Sequence, residues 1–398
     1  MSNSRLPLPI LALALAAFAI GTTEFVIVGI LPEVASDLGV TLSSAGLLVT
    51  GYALGVAIGA PIVAALTARW PRKATLMALL GVFIAGNLLS VAASNYTLLM
   101  LSRVVASFAH GSFFGTGAVV ASSLVTPDRR AGAIALMFTG LTLANVLGVP
   151  LGTLIGQTAG WRATFLAVSV LGVLALAAVA TWVPRNLPIV SSSSAGVRAL
   201  LRQPQLLLAL LLTVFAFGGV FTAFTFITPM LQQLAGFSPR AVTAILFLFG
   251  LGLTLGNAIG GRLADWKLMP SMVAILVALV LVEWLMSATI TLPTVAVFTV
   301  FAWGVAAFAA VPGLQIQVVN RAQDAPTLAS TLNVSAFNVG NAAGAWLGSS
   351  LIAADLPLRL LPVAASTTAA TAIGIAVLII AMDQRSQQIA LRLVPRPD

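Results

Sequence analysis

The sequence predicts an all-α membrane protein with twelve transmembrane helices in two parallel six-helix repeats. Of its 398 residues, 60% are hydrophobic and only 7% are charged, and the mean hydropathy is +1.08. Soluble domains carry about 25% charged residues. Apolar runs of about 20 residues recur along the whole chain, and each is long enough to cross a hydrocarbon core of roughly 30 Å as a helix.

The apolar runs define the order of the elements. In the first half they cover residues 9–31, 44–68, 74–94, 97–125, 132–158 and 163–183, and in the second half 205–233, 240–264, 270–290, 293–320, 326–353 and 358–382. The first run continues past the point where a signal peptide would be cleaved, so we expect a retained helix. The resulting domains are an N-terminal bundle (1–183), a cytoplasmic linker rich in Pro, Ser and Arg (184–204), and a C-terminal bundle with a cytoplasmic tail (205–398).

The basic residues predict the orientation. Of the 19 Lys and Arg residues, fifteen fall in loops on one side of the predicted spans, three fall on the other side, and Arg103 lies within a span. By the positive-inside rule the termini and the linker are cytoplasmic, in a bacterial-type inner membrane. The net charge of +9 is spread over separate loops. We therefore expect a lipid bilayer around the protein and no nucleic acid partner.

The two halves repeat each other. A shift of 197 residues brings Gly55 onto Gly252, and a shift of 196 brings Asn145 onto Asn341. Each half has an even number of predicted helices, so the repeat is parallel, about an axis along the membrane normal. Glycines four residues apart recur in both halves and allow helices to approach closely. From the sequence, static packing and sliding of the halves explain them equally well.

The chain lacks the residues that several kinds of chemistry require. The chain has no cysteine and a single histidine, so it holds no Cys or His metal cluster. It contains no phosphate-binding Gly-x-x-x-x-Gly-Lys-Ser/Thr motif and no Gly-x-Ser-x-Gly nucleophile motif. Ser112 is two residues from His110 and faces another side of the helix. We expect a protein that is not an enzyme, with no metal and no cofactor.

Three ionisable residues lie within predicted spans of the first half. Glu24 lies in the first apolar run, where a charge costs roughly 2.5 to 3.5 kcal/mol and usually marks a proton or substrate pathway. Arg103 and His110 are seven residues apart in the fourth run, so they share one helix face with Ser107 and Phe114. That face is therefore polar at membrane depth.

Several motifs resemble the major facilitator superfamily, and within it the twelve-span drug:proton antiporters and their arabinose or sugar efflux permease group. The first-helix signature corresponds to Gly21-Thr22-Thr23-Glu24-Phe25, and the fourth-helix motif to Leu101-Ser102-Arg103. The fifth-helix antiporter motif corresponds to residues 145–156, which contain the helix-packing residues Gly148, Pro150 and Gly152. The resemblance covers nearly the whole chain. It implies alternating access around a central cavity and, through the antiporter motif, export.

The resemblance places Glu24 opposite the face of Arg103 and His110. Burial favours the neutral form of a carboxyl group and a nearby guanidinium favours the carboxylate, so a glutamate that samples both settings can load and release a proton. We expect Glu24 to be the main proton acceptor. A permanent Glu24–Arg103 ion pair that only holds helices together is the alternative. His110 is either a proton or substrate residue or a structural hydrogen-bond partner.

One loop departs from the family pattern. After the second span the family carries Gly-x-x-x-Asp-Arg-x-Gly-Arg-Lys, whereas this chain keeps the basic residues Arg69, Arg72 and Lys73 and lacks the glycines and the aspartate. The copy in the second half keeps Gly261 and Asp265. We expect Asp265 to carry more of any gating role.

The second half supplies amides and aromatic rings in place of charges. Apolar walls with a few polar groups are typical of small-molecule sites. The expected cavity residues, besides Ser107 and Phe114, are Asn145, Phe221, Phe224, Asn333, Phe337, Asn338 and Asn341. Helical spacing of phenylalanines is also typical of plain packing. The resemblance implies a peripheral place for the ninth span, so we expect Glu283, beside Trp284, to reach the membrane interface by snorkelling and not to couple protons.

The sequence thus favours a monomeric, proton-coupled antiporter that exports small molecules such as drugs, sugars or nucleosides. The alternative is a transport-inactive membrane receptor or scaffold that kept the fold, and the altered loop after the second span is its only support. The residues do not choose among the substrates, although the few charges in the expected cavity disfavour strongly anionic ones.

Overall fold

A computed structural model describes residues 8–126, 129–187, 202–322 and 326–393. Most of the predicted linker, residues 188–201, lies outside the described residues, so the division into two bundles and a linker stays a prediction. The long elements are all helices. They are α1 (Leu8–Gly29), α2 (Leu31–Asp37), α3 (Leu42–Leu66), α4 (Arg72–Val91), α5 (Tyr96–Ser123), α6 (Arg130–Leu143), a π-helical segment (Ala144–Gly148), α7 (Val149–Ala159), α8 (Trp161–Trp182), α9 (Pro204–Phe224), α10 (Ile227–Gln233), α11 (Pro239–Thr289), α12 (Pro293–Asn320), α13 (Pro326–Ala353), a 3₁₀ turn (Leu358–Leu360) and α14 (Leu361–Leu393).

Ten helical segments among the described residues are long and apolar enough to cross a membrane. One of them, α11, has 51 residues, about 76 Å at 1.5 Å per residue, which is far longer than a hydrocarbon core of about 30 Å. Its backbone leaves the helical region at Lys267 (φ −153°, ψ 94°), so α11 holds the two spans that the sequence predicts as separate helices. Together with α13, which packs against α9 and α3, these segments make up the twelve predicted spans.

Two predicted spans are interrupted at matching places in the halves. The first breaks at Ile30 (φ −113°, ψ 16°) between α1 and α2, and the seventh breaks at Phe226 (φ −112°, ψ 16°) between α9 and α10. Pro32 and Pro229 follow within three residues of these breaks. Because a proline has no N–H to donate to the preceding turn, it favours such an interruption. The shared break supports the internal repeat.

The fifth span contains a π-helical segment over Ala144–Gly148. Pro150 lies two residues after the end of this segment and lacks the N–H that would bond to the carbonyl of residue 146. Such π-segments occur often at functional sites. By contrast, Pro312 lies inside helix α12 and does not interrupt it.

The glycine faces pack helices together within each half. A side chain on Gly55 would overlap Ser107 of α5, and one on Gly148 would overlap Thr22 of α1. In the second half, a side chain on Gly256 would overlap the backbone of Val305, and one on Gly344 the backbone of Gly218. These faces bring helices of the same half into close contact. Of static packing and sliding of the halves, the two roles that the sequence left open, such contacts correspond to packing.

The two halves contact each other near one end of the bundle. The Ser43 hydroxyl donates to the Ser349 carbonyl over 2.8 Å, and the Thr243 hydroxyl donates to Gln157 Oε1 over 3.1 Å. Both contacts lie at the end that holds the start of α3 and of α11. That end is the extracellular one in the orientation predicted from the basic loops.

A polar cluster at the same end ties α2 to α8. Arg162 Nη1 lies 2.6 Å from Asp37 Oδ2, and Trp161 Nε1 donates to the same oxygen over 3.0 Å. Two hydrogen bonds lower the pKa of Asp37, and the one from Arg162 has a larger effect than the one from Trp161. Arg162 also donates to the Ala93 carbonyl over 2.8 Å, which adds the turn between α4 and α5 to the cluster.

Gly260→Ala is expected to lower the free energy of unfolding by about 1 to 3 kcal/mol, because the added methyl group overlaps the backbone of Ala309. The control is Gly261→Ala, one residue along the same helix, where a methyl group meets nothing within 4 Å. This control is expected to be neutral or to stabilise by about 0.4 to 1 kcal/mol. Thermal unfolding of the purified protein in detergent compares the two, and equal effects would contradict the close packing of α11 on α12.

Candidate proton and substrate site

Arg103 is the centre of the buried polar cluster. Its side chain is fully buried (0% exposed) in the first third of α5. Nη1 donates to the Thr23 carbonyl over 2.8 Å and Nη2 donates to the Glu24 carbonyl over 3.4 Å, so the guanidinium binds the backbone of α1. The guanidinium carbon lies 4.3 Å from the centre of the Tyr52 ring, a cation–π contact with α3.

Glu24 and His110 meet beside this cluster. Glu24 Oε2 lies 3.7 Å from His110 Nε2, and both side chains are buried. On the other side of the ring, His110 Nδ1 lies 3.2 Å from the Tyr52 hydroxyl. The carboxyl group of Glu24 makes no ion pair with Arg103 within the part of the chain that the structure describes. The permanent Glu24–Arg103 pair is therefore not formed in this conformation.

Tyr52 is the member of the cluster that the sequence did not single out. It is 1% exposed, and it contacts both Arg103 and His110. The chain has only two tyrosines, and Tyr52 lies in the glycine-rich second span. A single tyrosine in such a span was the one feature of the sequence that could have indicated Tyr52 as a site residue. A tyrosine is also common in packed cores, however.

The other two residues of the predicted polar face have different surroundings. Ser107 packs against Gly55 of α3, and its hydroxyl donates to the Val104 carbonyl of its own helix. Phe114 packs its ring 5.1 Å from the His110 ring and 5.2 Å from the Phe138 ring. Phe114 thus packs against His110, whereas Ser107 lies in the contact between α3 and α5.

The predicted aromatic residues of the second half form one connected cluster. Phe221 lies 5.7 Å from Phe224, which stacks on Phe249 with ring centres 5.0 Å apart. Phe337 meets Phe217 edge to face at 4.5 Å. Phe221 also lies 6.1 Å from Phe25, the residue after Glu24, so this cluster touches the first half.

The predicted amides of α13 divide into two groups. Asn333 belongs to a satisfied network, since it accepts from Thr213 over 2.7 Å and donates to Gln315 over 2.8 Å. Asn338 and Asn341 are buried, and the Oδ1 atom of each has no hydrogen-bond partner among the described residues. Buried polar atoms are usually paired, so two unpaired amide oxygens one turn apart suit a ligand with hydrogen-bond donors.

A cavity of about 170 Å³ lies between the halves. Asn145, from the π-helical segment, is the predicted cavity residue among those that line it. The other lining residues are Phe138, Leu141, Thr142, Leu253, Thr254, Asn257, Phe308 and Val311. Drug-sized ligands occupy pockets of about 300 to 1,000 Å³. The cavity therefore needs further separation of the halves to hold such a ligand.

The predicted loop residues are not brought together. Lys73 Nζ donates to the carbonyls of Ala180 and Val183, both over 2.7 Å, and so caps the C-terminal end of α8. Arg72 begins α4 and Arg69 is exposed in the preceding turn. In the second half Gly261 is half-buried, whereas Asp265 is exposed and makes no ion pair with described residues.

The expectation that Glu283 reaches the membrane interface is wrong. Its side chain is 0% exposed, and Trp303 Nε1 lies 3.4 Å from Oε1. The neighbouring Trp284 is exposed instead. The carboxyl group therefore points into the C-terminal half and does not reach the membrane interface.

The membrane-spanning helices form two similar halves with a cavity between them, and one half holds a buried cluster of ionisable groups. These features define a multi-pass membrane transporter. The sequence profile of the Major Facilitator Superfamily matches residues 13–345. The chain is 41% identical over 386 residues to the inner membrane transport protein YdhP of Escherichia coli K12, covering 95% of this chain and 96% of the relative. It is 36% identical over 353 residues to a chloramphenicol resistance protein of Streptomyces lividans, covering 87% and 90% of the two chains.

The fold is also found in a solved structure. A bacterial homologue of the human lysosomal transporter Spinster, in an inward-facing and unoccupied conformation, aligns with a TM-score of 0.71 and 15% identity over 99% of this chain and 100% of that chain. The chain belongs to the Major Facilitator Superfamily. The predicted family and the predicted all-α fold are therefore confirmed.

Arg103→Lys is expected to destabilise the fold by on the order of 1.5 to 3 kcal/mol, the typical worth of a hydrogen bond to a charged group. A lysine keeps the charge but lacks the planar fork that reaches two carbonyls of α1. Arg262→Lys, at an exposed position on α11, is the matched control and is expected to change stability by less than about 0.5 kcal/mol. Thermal unfolding in detergent measures both, and a neutral Arg103→Lys would contradict the anchoring of α1 by Arg103.

Proposed function

We propose that this transporter exports small molecules across the inner membrane in exchange for protons, by alternating access. The observation that carries the proposal is the 3.7 Å contact between the Glu24 carboxyl group and the His110 ring, both buried at membrane depth. Intramembrane ionisable residues commonly form proton relays. Glu24 and His110 are the proton-binding pair, and Arg103 and Tyr52 position them.

The binding mode of Arg103 supports a carboxyl group that changes its protonation state. Because the guanidinium donates to the carbonyls of Thr23 and Glu24, its charge stays close to the Glu24 carboxyl group without pairing with it. A nearby positive charge favours the carboxylate, and burial favours the acid. Small changes in hydration during the transport cycle then suffice to move the proton.

The export direction and the substrate class rest on a named relative and on the second half of the site. A relative with 36% identity is a chloramphenicol resistance protein. Chloramphenicol is a neutral molecule with an aromatic ring and hydrogen-bonding groups. The ring cluster around Phe217 and Phe337 and the unpaired amide oxygens of Asn338 and Asn341 match this chemistry. We therefore propose neutral aromatic compounds with polar substituents as substrates.

Glu24→Gln is expected to abolish proton-driven transport while leaving exchange of substrate down its own gradient. The measurement uses proteoliposomes, an imposed pH gradient and radiolabelled chloramphenicol. Gradient-driven accumulation should fall by about tenfold or more, which corresponds to about 1.4 kcal/mol of lost coupling.

The matched control is Asp355→Asn, which also turns an acid into an amide. Asp355 is exposed and has φ 61°, a conformation that asparagine tolerates. Its transport should equal that of the wild type. Undiminished gradient-driven accumulation by Glu24→Gln would remove Glu24 from the coupling step.

A further inference from the structure

The internal repeat gives Glu283 an equivalent position in the first half. A shift of 196 residues aligns α4 with the second part of α11 so that buried positions coincide. The coinciding pairs are Thr75 with Ser271, Leu76 with Met272, Leu80 with Leu276, Phe83 with Leu279, Asn87 with Glu283, and Ser90 with Met286. At the position of Asn87 and Glu283, the third span of each half therefore holds a fully buried polar side chain, an amide in the first half and a carboxyl group in the second.

The next span differs between the halves in a way that affects this carboxyl group. A shift of 197 residues aligns α5 with α12, so that Val300 takes the place of Arg103 and Trp303 takes the place of Ala106, all of them buried. In the first half Arg103 supplies a positive charge next to a buried acid. In the second half an apolar side chain stands there, and a tryptophan ring fills the adjoining space.

Glu283 consequently has few partners. Among the described residues its one hydrogen bond is the 3.4 Å contact from Trp303 Nε1, and the buried Oε2 atom has no partner there. An ionised carboxylate in hydrocarbon without a cation or several donors is strongly disfavoured. The neutral acid suits the site.

The charged groups on the surrounding elements lie at the helix ends or around the kink in α11. On α11 these are Arg240 in the first turn and Arg262, Asp265 and Lys267 around the kink. Arg321 directly follows α12, Asp383 and Arg385 lie on α14, and Arg359 lies in the 3₁₀ turn. Arg321 pairs with Asp383 at 2.6 Å, and Arg359 is exposed. None of them forms an ion pair with Glu283 within the described ranges.

We infer that Glu283 is a second proton-binding site, loaded in the conformation described here and separate from the Glu24–His110 pair. Trp303 connects it to the interface between the halves. The Trp303 ring lies 6.2 Å from Phe224, Phe224 lies 5.7 Å from Phe221, and Phe221 lies 6.1 Å from Phe25 of the first half. Movement of the halves displaces these rings, exposes the carboxyl group to water and releases the proton.

The proton on Glu283 can be observed directly, because the chain contains only three glutamates, Glu24, Glu33 and Glu283. Labelling the side-chain carboxyl carbon of glutamate with ¹³C gives three NMR signals. At neutral pH one signal should have the shift of a protonated acid, persist in Glu24→Gln and disappear in Glu283→Gln. Asn87 shows that the matching position accommodates a neutral amide.

A second variant assigns the Glu283 signal even if Glu283→Gln does not fold. Trp303→Phe removes the indole donor, so the Glu283 signal should move while the signals of Glu24 and Glu33 stay. The number of protons exchanged per substrate, measured in proteoliposomes, should be lower by one in Glu283→Gln than in the wild type.

Two results would overturn the inference. If the Glu283 signal has the shift of a carboxylate at neutral pH, the site is not loaded. If it is protonated but the proton count of Glu283→Gln equals that of the wild type, the proton does not take part in transport. Both outcomes leave the role of Glu24 unaffected, because that role is measured by Glu24→Gln alone.

Discussion

The burial of one guanidinium inside the membrane constrains the arrangement of the first half. Arg103 is always charged, and its N–H groups need hydrogen-bond acceptors at a depth where water is scarce. The backbone carbonyls of α1 supply these acceptors. The ring of Tyr52 covers its face, and the Phe165 ring lies 5.7 Å from its central carbon. Four helices, α1, α3, α5 and α8, are thereby fixed around a single charge. The position of Glu24 follows from this, because α1 is held by its backbone at Thr23 and Glu24.

The two halves use the same helical framework for different chemistry. The first half carries Glu24, Arg103 and His110, while the second half carries aromatic rings, amides and one buried acid, Glu283. Glycine faces hold the helices of each half together, and hydrogen bonds from Ser43 to Ser349 and from Thr243 to Gln157 join the halves. In the proposed function this division places charge compensation in the first half and ligand recognition mainly in the second. A shared ring contact, Phe25 with Phe221, links them.

Much of the fold was predictable, because apolar runs of membrane-spanning length and loop charges are strong signals in a chain this hydrophobic. The closeness of Glu24 and the Arg103–His110 face followed from helical spacing and the family resemblance. Other features depend on tertiary contacts. Spacing does not reveal whether Arg103 binds a carboxylate or a carbonyl, and Tyr52 is indistinguishable from a packing residue. Glu283 was misplaced because a helix that is apolar all round shows no preferred face.

We propose that Glu24 and His110 change protonation state together during transport. His110 is the only histidine in the chain, so ¹⁵N-histidine labelling of an untagged protein gives NMR signals from one ring. We expect the ring signals to respond to pH and Glu24→Gln to shift this response, because the ring loses its carboxyl neighbour. An identical pH response in the wild type and in Glu24→Gln, or a ring that does not respond to pH in either, would contradict it.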